Sequence, residues 1–106
     1  MRQMTPRQLQ QYLSECSKQP LLLDVRELWE FDICHLENSQ LVPMGQIPNA
    51  LNDFDTEQEI VVICHHGIRS QQVGYYMEHM GFSNIINLAG GVDGWARDVD
   101  RTMSTY

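Results

Sequence analysis

The chain has 106 residues, 42% of them hydrophobic and 20% charged, with a formal net charge of −7 at pH 7. These values are typical of a single globular domain over residues 1–106, and no apolar run approaches the roughly 18 residues that span a bilayer. Only seven residues are Lys or Arg, and they are scattered. Neither a nucleic acid nor an anionic membrane is therefore an expected partner, because both bind basic patches.

Cysteine usage and the first residues indicate a reducing compartment. Cys16, Cys34 and Cys64 are too few for a disulfide framework, and their odd number leaves at least one free thiol. Residues 1–6 lack the apolar segment of a signal peptide. We therefore expect a cytoplasmic protein.

The first predicted element is a helix that begins after Thr5. Thr5, Pro6 and Gln8 have the residue types of an N-cap, a first helical position and a capping box. The apolar face of this helix consists of Leu9, Tyr12, Leu13 and Cys16. At this spacing Cys16 is expected to be a core residue.

The rest of the chain alternates between predicted strands and helices. Apolar runs of strand length predict strands over residues 21–25, 40–42, 60–63 and 84–88. Helices are predicted over 26–33, from the loop after residue 64 to Gly81, and around Trp95, and a short helix or a turn is predicted over 46–54. The helix that ends at Gly81 carries four apolar residues at helical spacing, namely Val73, Tyr76, Met77 and Met80.

This alternation predicts an α/β fold, with a small parallel sheet and helices on both faces. In such sheets the functional site lies at the carboxyl ends of the strands. Asp24, Cys64 and Gly90 each follow or end a predicted strand. We therefore expect these three residues to converge on one crevice.

Residues 64–70, here called the Cys64 loop, carry the main chemical signal. A cysteine between a strand and a helix start meets unpaired N–H groups and the positive end of the helix dipole, which stabilise a thiolate. We interpret Cys64 as a nucleophile, whose sulfur must face the loop amides and be reachable from solvent. An inert buried thiol is the alternative interpretation.

Three segments resemble the signature motifs of one family. The Cys64 loop matches a Cys-x-x-Gly-x-Arg-Ser pattern, residues 22–27 match an Asp-Val-Arg-Glu strand end, and residues 88–95 match a Gly-Gly-to-Trp closing motif. In this order and spacing, the chain resembles a single-domain rhodanese, a sulfurtransferase of the rhodanese-like superfamily. The resemblance covers residues 21–95 and implies a rhodanese-like fold.

Two sequence details refine this resemblance. Residues 34–39 keep only His35 of the family's Gly-His-Ile-Pro-Gly-Ala pattern, so we expect a reshaped loop and an altered partner preference. Arg69 is five positions after Cys64, which gives a Cys-x4-Arg spacing. The related dual-specificity phosphatases and arsenate reductases have a Cys-x5-Arg pattern, a loop one residue longer. The shorter loop suits one sulfur atom better than a tetrahedral oxyanion, which favours sulfur transfer over cysteine phosphatase activity.

The resemblance implies a two-step reaction without a cofactor. Cys64 takes a sulfane sulfur from thiosulfate or a persulfide donor and passes it to a thiol, a protein thiol or cyanide. The substrate-binding residues are then the rest of the loop: His65, His66, Gly67, Ile68, Arg69 and Ser70. Their amides are expected to surround the charged sulfur, and Arg69 to hold an oxygen of the donor. Gly67 is expected to adopt positive φ, and Ser70 either caps the next helix or hydrogen-bonds the sulfur.

The other polar residues near the predicted crevice have weaker signals. His65 and His66 either steer an anionic donor or are polar residues at the rim. Asp24 and Arg26 are interpreted as a structural ion pair at the pocket edge. Glu30 is expected to pair with Arg26 at helical spacing.

Further hypotheses concern Cys34 and the overall activity. Cys34-His35 and the Cys64 loop contain zinc-ligand residue types, but they lack Cys-x2-Cys or His-x3-His spacing, so no metal site is predicted. A disulfide between Cys34 and an oxidised Cys64 would instead make the protein a redox sensor. The main alternative to an enzyme is a sulfur-relay carrier or a binding module without small-molecule turnover.

Overall fold

Five parallel strands form the sheet in the computed structural model, which describes residues 1–106. The strands are β1 (Arg2–Met4), β2 (Leu21–Asp24), β3 (Gln40–Leu41), β4 (Ile60–Ile63) and β5 (Ile85–Leu88). The helices are α1 (Pro6–Glu15), α2 (Leu28–Ile33), α3 (Ile47–Ala50), α4 (Ile68–His79) and α5 (Gly91–Asp98). The strand order is β1-β5-β4-β2-β3, and every neighbouring pair is parallel. This arrangement confirms the predicted α/β fold.

The two faces of the sheet pack into two separate cores. Side chains alternate between the faces along a strand, and β4 accordingly sends Val62 to one core and Val61 to the other. The first core is closed by α3 and α4, and it contains Val73 and Met77. The second is closed by α1 and α5. Because both faces are covered, β4 and β5 are buried along their whole length.

Local sequence signals account for the start of α1 and the end of α4. The Gln8 N–H donates to the Thr5 hydroxyl and the Thr5 N–H donates to the Gln8 side chain, so the predicted capping box is present. Gly81 follows α4 with a φ of 99°, where its N–H donates to the Glu78 carbonyl. The predicted segment 46–54 is a short α3 flanked by 3-10 turns at Met44–Gln46 and Leu51–Asp53.

The structure differs from the sequence prediction at three places. The N-terminal segment forms β1, which pairs with β5 and was not predicted, because three residues on a sheet edge carry no apolar pattern. Met80 is 49% exposed, since α4 ends at His79 and its inward stripe ends with Met77. Cys16 is only half-buried, because it caps the end of α1 instead of lying within the helix.

The turn between β5 and α5 lies directly against the Cys64 loop. The N–H groups of Val92 and Asp93, in the first turn of α5, donate to the carbonyls of Cys64 and His65 at 2.9 and 3.1 Å. Gly91 has a φ of 59°, and a Cβ placed on it would lie 2.3 Å from the His65 carbonyl oxygen. Only glycine therefore allows the two backbones to approach this closely.

None of the helices has the length and apolar character that crossing a membrane requires.

Replacing Gly91 with Ala is expected to destabilise the protein more than replacing Gly81 with Ala. Both residues have positive φ, which costs an alanine about 1 kcal/mol. Only Gly91 adds an overlap with the loop backbone, because nothing lies within 4 Å of a Cβ at Gly81. We expect the overlap to add about 2 kcal/mol. Urea unfolding of both variants measures the difference, and equal losses of stability would contradict this explanation.

Candidate active site

Cys64 follows β4 directly, and its sulfur faces the interior of its own loop. The Gly67 N–H donates to Sγ at 3.0 Å, and the Ser70 hydroxyl oxygen lies 3.3 Å from the same atom. The residue is 1% exposed. The sulfur therefore faces a loop amide, as the interpretation of Cys64 requires, but the expected access from solvent is absent in this structure.

Gly67 begins α4 and shapes the loop around the sulfur. It is the N-cap of α4 with a φ of 103°, and its carbonyl accepts the Gln71 N–H, the first hydrogen bond of the helix. The next three residues, Ile68, Arg69 and Ser70, have N–H groups without helical partners. These groups and the dipole of a 12-residue helix favour negative charge beside Cys64.

Ser70 links the sulfur to a buried asparagine that sequence reasoning missed. Ser70 is fully buried, and its hydroxyl donates to Oδ1 of Asn87 in β5. The Asn87 amide nitrogen donates in turn to the Gly67 carbonyl and to the Gln3 side chain. In the sequence, the one feature that could have indicated Asn87 is that it is a single polar residue inside the apolar strand Ile85–Leu88.

Arg69 forms an ion pair with Glu30. Its two terminal nitrogens each donate to one Glu30 carboxylate oxygen at 2.8 Å. Helical spacing predicted that the Glu30 carboxylate pairs with Arg26, and this prediction is wrong. Arg26 instead donates to the backbone carbonyl of Glu30, at 3.3 Å. Arg69 lowers the pKa of Glu30 from the usual 4.5 to about 2. The positive charge of Arg69 is thus largely balanced.

Asp24 and Arg26 form a fully buried ion pair at the end of β2. An Asp24 carboxylate oxygen accepts from Arg26 Nη2 at 2.7 Å, and the same nitrogen donates to the Cys34 carbonyl. Burial alone would lower the pKa of Arg26, but hydrogen bonds with Asp24 and Tyr106 raise it. The pair connects β2 to the segment after α2.

Tyr106 is a second residue of the site that no local pattern indicated. Its hydroxyl accepts from Arg26 Nη1 at 3.0 Å and donates to Glu30 Oε1 at 2.9 Å. Its ring stacks on His65 and contacts the edge of Trp29. Tyr106 therefore connects the two ion pairs of the site to the Cys64 loop.

His65 and His66 lie at the rim, with His65 half-buried and His66 exposed. Burial and the neighbouring His66 lower the pKa of His65, so this ring is neutral near pH 7. Their nitrogens and the Asp93 carboxylate lie within 4.8 Å of one another, a grouping of possible metal ligands that sequence spacing did not reveal. Arg97 also approaches the Asp93 carboxylate, at 3.7 Å.

Cys34 and Cys64 pack on opposite faces of the sheet. Cys34 belongs to the core under α1 and α5, whereas Cys64 belongs to the core under α3 and α4. Cys34 Sγ lies 3.9 Å from Arg26 Nη1. The disulfide between the two cysteines remains a hypothesis without a structural contact that favours it.

Exposed apolar side chains occur on both sides of the Glu30–Arg69 ion pair. Ile68, beside Arg69, is 71% exposed, while Leu28 and Trp29, beside Glu30, are each 60% exposed. The ion pair joins the start of α4 to α2, the two helices that carry these three side chains. We call Leu28, Trp29 and Ile68 the apolar rim.

Comparisons with known proteins agree with this fold. The model of the rhodanese-like domain family matches residues 5–98. YrkF of Bacillus subtilis, whose name describes a sulfur carrier, is 34% identical over 74 residues, 70% of this chain and 40% of YrkF. The adenylyltransferase and sulfurtransferase uba4 of Ogataea parapolymorpha is 35% identical over 92 residues, 82% of this chain and 23% of uba4.

A solved structure of a rhodanese-like domain protein also resembles this chain in fold. The crystal structure of a rhodanese-like domain protein from Staphylococcus aureus has a TM-score of 0.83 and 34% identity, covering 90% of this chain and 91% of that one. The chain therefore belongs to the rhodanese-like domain family, a family of the sulfurtransferase type. It spans less than half the length of either relative named above.

Replacing Glu30 with Gln is expected to destabilise the fold by about 2 kcal/mol at pH 7. The lowered pKa corresponds to about 3 kcal/mol, which solvent around Arg69 reduces. The ionised carboxylate stabilises the fold fully above about pH 4.5, and this contribution disappears as the pH falls towards about 2. Urea unfolding over this pH range measures the effect.

The matched control is Glu37→Gln, which changes an exposed carboxylate. We expect little effect from it at any pH. A stability difference between Glu30→Gln and the unmodified protein that stays constant from pH 7 to pH 3 would show that the ion pair is not its cause.

Proposed function

We propose that the protein is a rhodanese-type sulfurtransferase that carries a sulfane sulfur on Cys64. The observation that supports this most is the position of Sγ, 3.0 Å from the Gly67 N–H at the start of α4. Reactive cysteines typically occur at helix N-termini, where the thiolate is stabilised. The membership in the rhodanese-like domain family agrees with this chemistry.

The first step is attack of the Cys64 thiolate on the outer sulfur of a donor. With thiosulfate, a new S–S bond forms to Sγ, the bond between the two donor sulfurs breaks, and sulfite leaves with the electron pair. The product is a Cys64 persulfide whose negative charge lies on the outer sulfur. The free N–H groups at the start of α4, from Ile68 to Ser70, are suited to bind this charge.

The second step transfers the outer sulfur to an acceptor. A thiolate or cyanide attacks that sulfur, the S–S bond to Cys64 breaks, and the Cys64 thiolate is regenerated. Splitting one transfer into two covalent steps predicts ping-pong kinetics. No redox partner is required, because each step passes a sulfane sulfur from one nucleophile to another.

Charge at the loop mouth favours a relay between proteins as the second candidate. Arg69 is balanced by Glu30, His65 is neutral near pH 7, and the chain carries a net charge of −7. This field gives a dianion such as thiosulfate little attraction. The apolar rim instead offers contact area to a protein donor or acceptor. YrkF, a relative, has a name that describes a sulfur carrier.

Incubation with thiosulfate is expected to add the mass of one sulfur atom to Cys64. Added cyanide should then remove this sulfur and yield thiocyanate. Cys64→Ser is expected to lose both reactions, because a serine hydroxyl does not form the persulfide. Peptide mass spectrometry locates the sulfur, and the thiocyanate assay follows turnover.

Cys34→Ser is the matched control, since Cys34 is also buried but packs on the other face of the sheet. It should keep both reactions. Sulfur uptake from a protein persulfide but not from thiosulfate would favour the relay. Absence of sulfur on Cys64 with either donor would refute the proposed function, as would phosphatase turnover that depends on Cys64.

A further inference from the structure

Two neighbouring histidines at the rim of the Cys64 loop have ring nitrogens without a hydrogen-bond partner. His35 is the one histidine of the chain whose ring nitrogen forms a hydrogen bond, 2.8 Å from the Phe31 carbonyl oxygen. The rings of His65 and His66 instead contact each other, with centroids 3.9 Å apart. Their nitrogen lone pairs are therefore available, and neutral imidazole is the commonest metal ligand in proteins.

Asp93 brings a carboxylate to the same two rings. One ligand atom from each of the three side chains lies within 4.8 Å of the others, and His66 Nε2 is 3.9 Å from Asp93 Oδ2. The ligand atoms of a tetrahedral zinc ion are about 3.4 Å apart, since each bond is about 2.1 Å long. The remaining gap is small enough for His66, whose side chain is 59% exposed, to close by rotating its ring.

The backbone holds the two segments that carry these ligands next to each other. The Asp93 N–H donates to the His65 carbonyl at 3.1 Å, and the Val92 N–H donates to the Cys64 carbonyl at 2.9 Å. The His65 ring is also fixed by stacking on Tyr106, with centroids 3.9 Å apart. Much of the arrangement is thus in place before a metal binds, which lowers the entropic cost of binding.

We propose that His65, His66 and Asp93 form a binding site for one divalent cation of the zinc type at the rim of the Cys64 loop. Two imidazoles and a carboxylate are ligands that zinc binds readily, and three protein ligands leave one coordination position open. The net charge of the chain, −7, also favours a cation at an exposed site. The two histidines distinguish this grouping from the acidic clusters that are common on protein surfaces.

Cys64 is not among the ligands, although it directly precedes His65. Its sulfur faces the interior of the loop, where the Gly67 N–H donates to it at 3.0 Å, and the residue is 1% exposed. The histidine rings and the Asp93 carboxylate are instead half-buried or exposed. The proposed site therefore has nitrogen and oxygen ligands only, unlike a site made from the cysteines of the chain.

A zinc ion at this place changes the charge at the loop mouth. Arg69 is balanced by Glu30, so the loop alone gives an anionic donor little attraction. Zinc bound by two neutral imidazoles and one carboxylate carries one net positive charge, and its open position can accept an oxygen of a donor such as thiosulfate. This role rests on the proposed function, whereas cation binding itself does not, and no bond-breaking step passes through the metal.

Arg97 competes with a cation for the Asp93 carboxylate. Arg97 Nη1 lies 3.7 Å from Asp93 Oδ2, while its Nε lies 3.3 Å from Asp98 Oδ1. The Arg97 side chain is 63% exposed and keeps Asp98 as a partner, so it can release Asp93 when a metal binds. Removing the positive charge of Arg97 should therefore strengthen metal binding, an effect that a loss of structure does not produce.

Isothermal titration calorimetry of the full chain with zinc chloride, in a buffer that does not bind metals, tests the site. We expect one zinc ion per chain. His66→Ala, His65→Phe and Asp93→Asn should each weaken binding by at least about tenfold. Arg97→Gln should tighten it by about two- to fivefold, the effect of one exposed charge pair. His79→Ala, which removes an exposed histidine at the end of α4, is the matched control and should leave the affinity unchanged.

Cobalt(II) gives a second measurement, which reports the type of ligand. Cobalt held by nitrogen and oxygen shows visible absorption bands but lacks the near-ultraviolet sulfur-to-metal charge-transfer band of a thiolate ligand. We expect a spectrum of the first kind. Cys64→Ser should bind zinc as tightly as the unmodified protein, because the sulfur is not a ligand.

The inference is overturned if the protein binds no zinc, or if any of the three ligand variants binds zinc as tightly as the unmodified protein. A cobalt spectrum with a thiolate band would also overturn it, as would weaker binding in Arg97→Gln. Zinc binding by a protein that takes up no sulfur would refute the proposed function alone. Sulfur uptake by Cys64 in a protein that binds no zinc would refute only the metal site.

Discussion

The backbone contact between the Cys64 loop and the first turn of α5 supports every other feature of the site. Val92 and Asp93 donate to the carbonyls of Cys64 and His65, and the approach requires glycine at position 91. With its carbonyls bound in this way, the loop turns its amides towards its own interior. The sulfur of Cys64 then lies 3.0 Å from the Gly67 N–H. Backbone geometry, more than side-chain charge, places the Cys64 sulfur.

The side chains around the Cys64 loop form ion pairs and hydrogen bonds that balance their charges. The ion pairs Arg69–Glu30 and Arg26–Asp24 are joined by the Tyr106 hydroxyl. No buried side-chain nitrogen or oxygen lacks a hydrogen-bond partner. This pairing holds the loop firmly but leaves little net positive charge to attract an anionic donor. A site of this kind is suited to keeping a sulfur atom until a suitable acceptor arrives.

Local sequence patterns predicted four of the five strands and the position of Cys64 after one of them, because buried strands and helix starts are determined by neighbouring residues. They did not predict contacts between distant residues. Arg69 and Glu30 are 39 positions apart, so helical spacing assigned Glu30 to Arg26 instead. Tyr106 and Asn87 enter the site only through folding, and a polar residue in a strand does not reveal its partners. β1 was missed because its strand character comes from pairing with β5.

The most direct test of the central claim is a crystal structure of the protein after treatment with a sulfur donor. The account predicts one additional sulfur atom bonded to Cys64 Sγ, lying inside the loop and within hydrogen-bond distance of the N–H groups at the start of α4. An unmodified Cys64, or an added sulfur that points away from these amides, would contradict it.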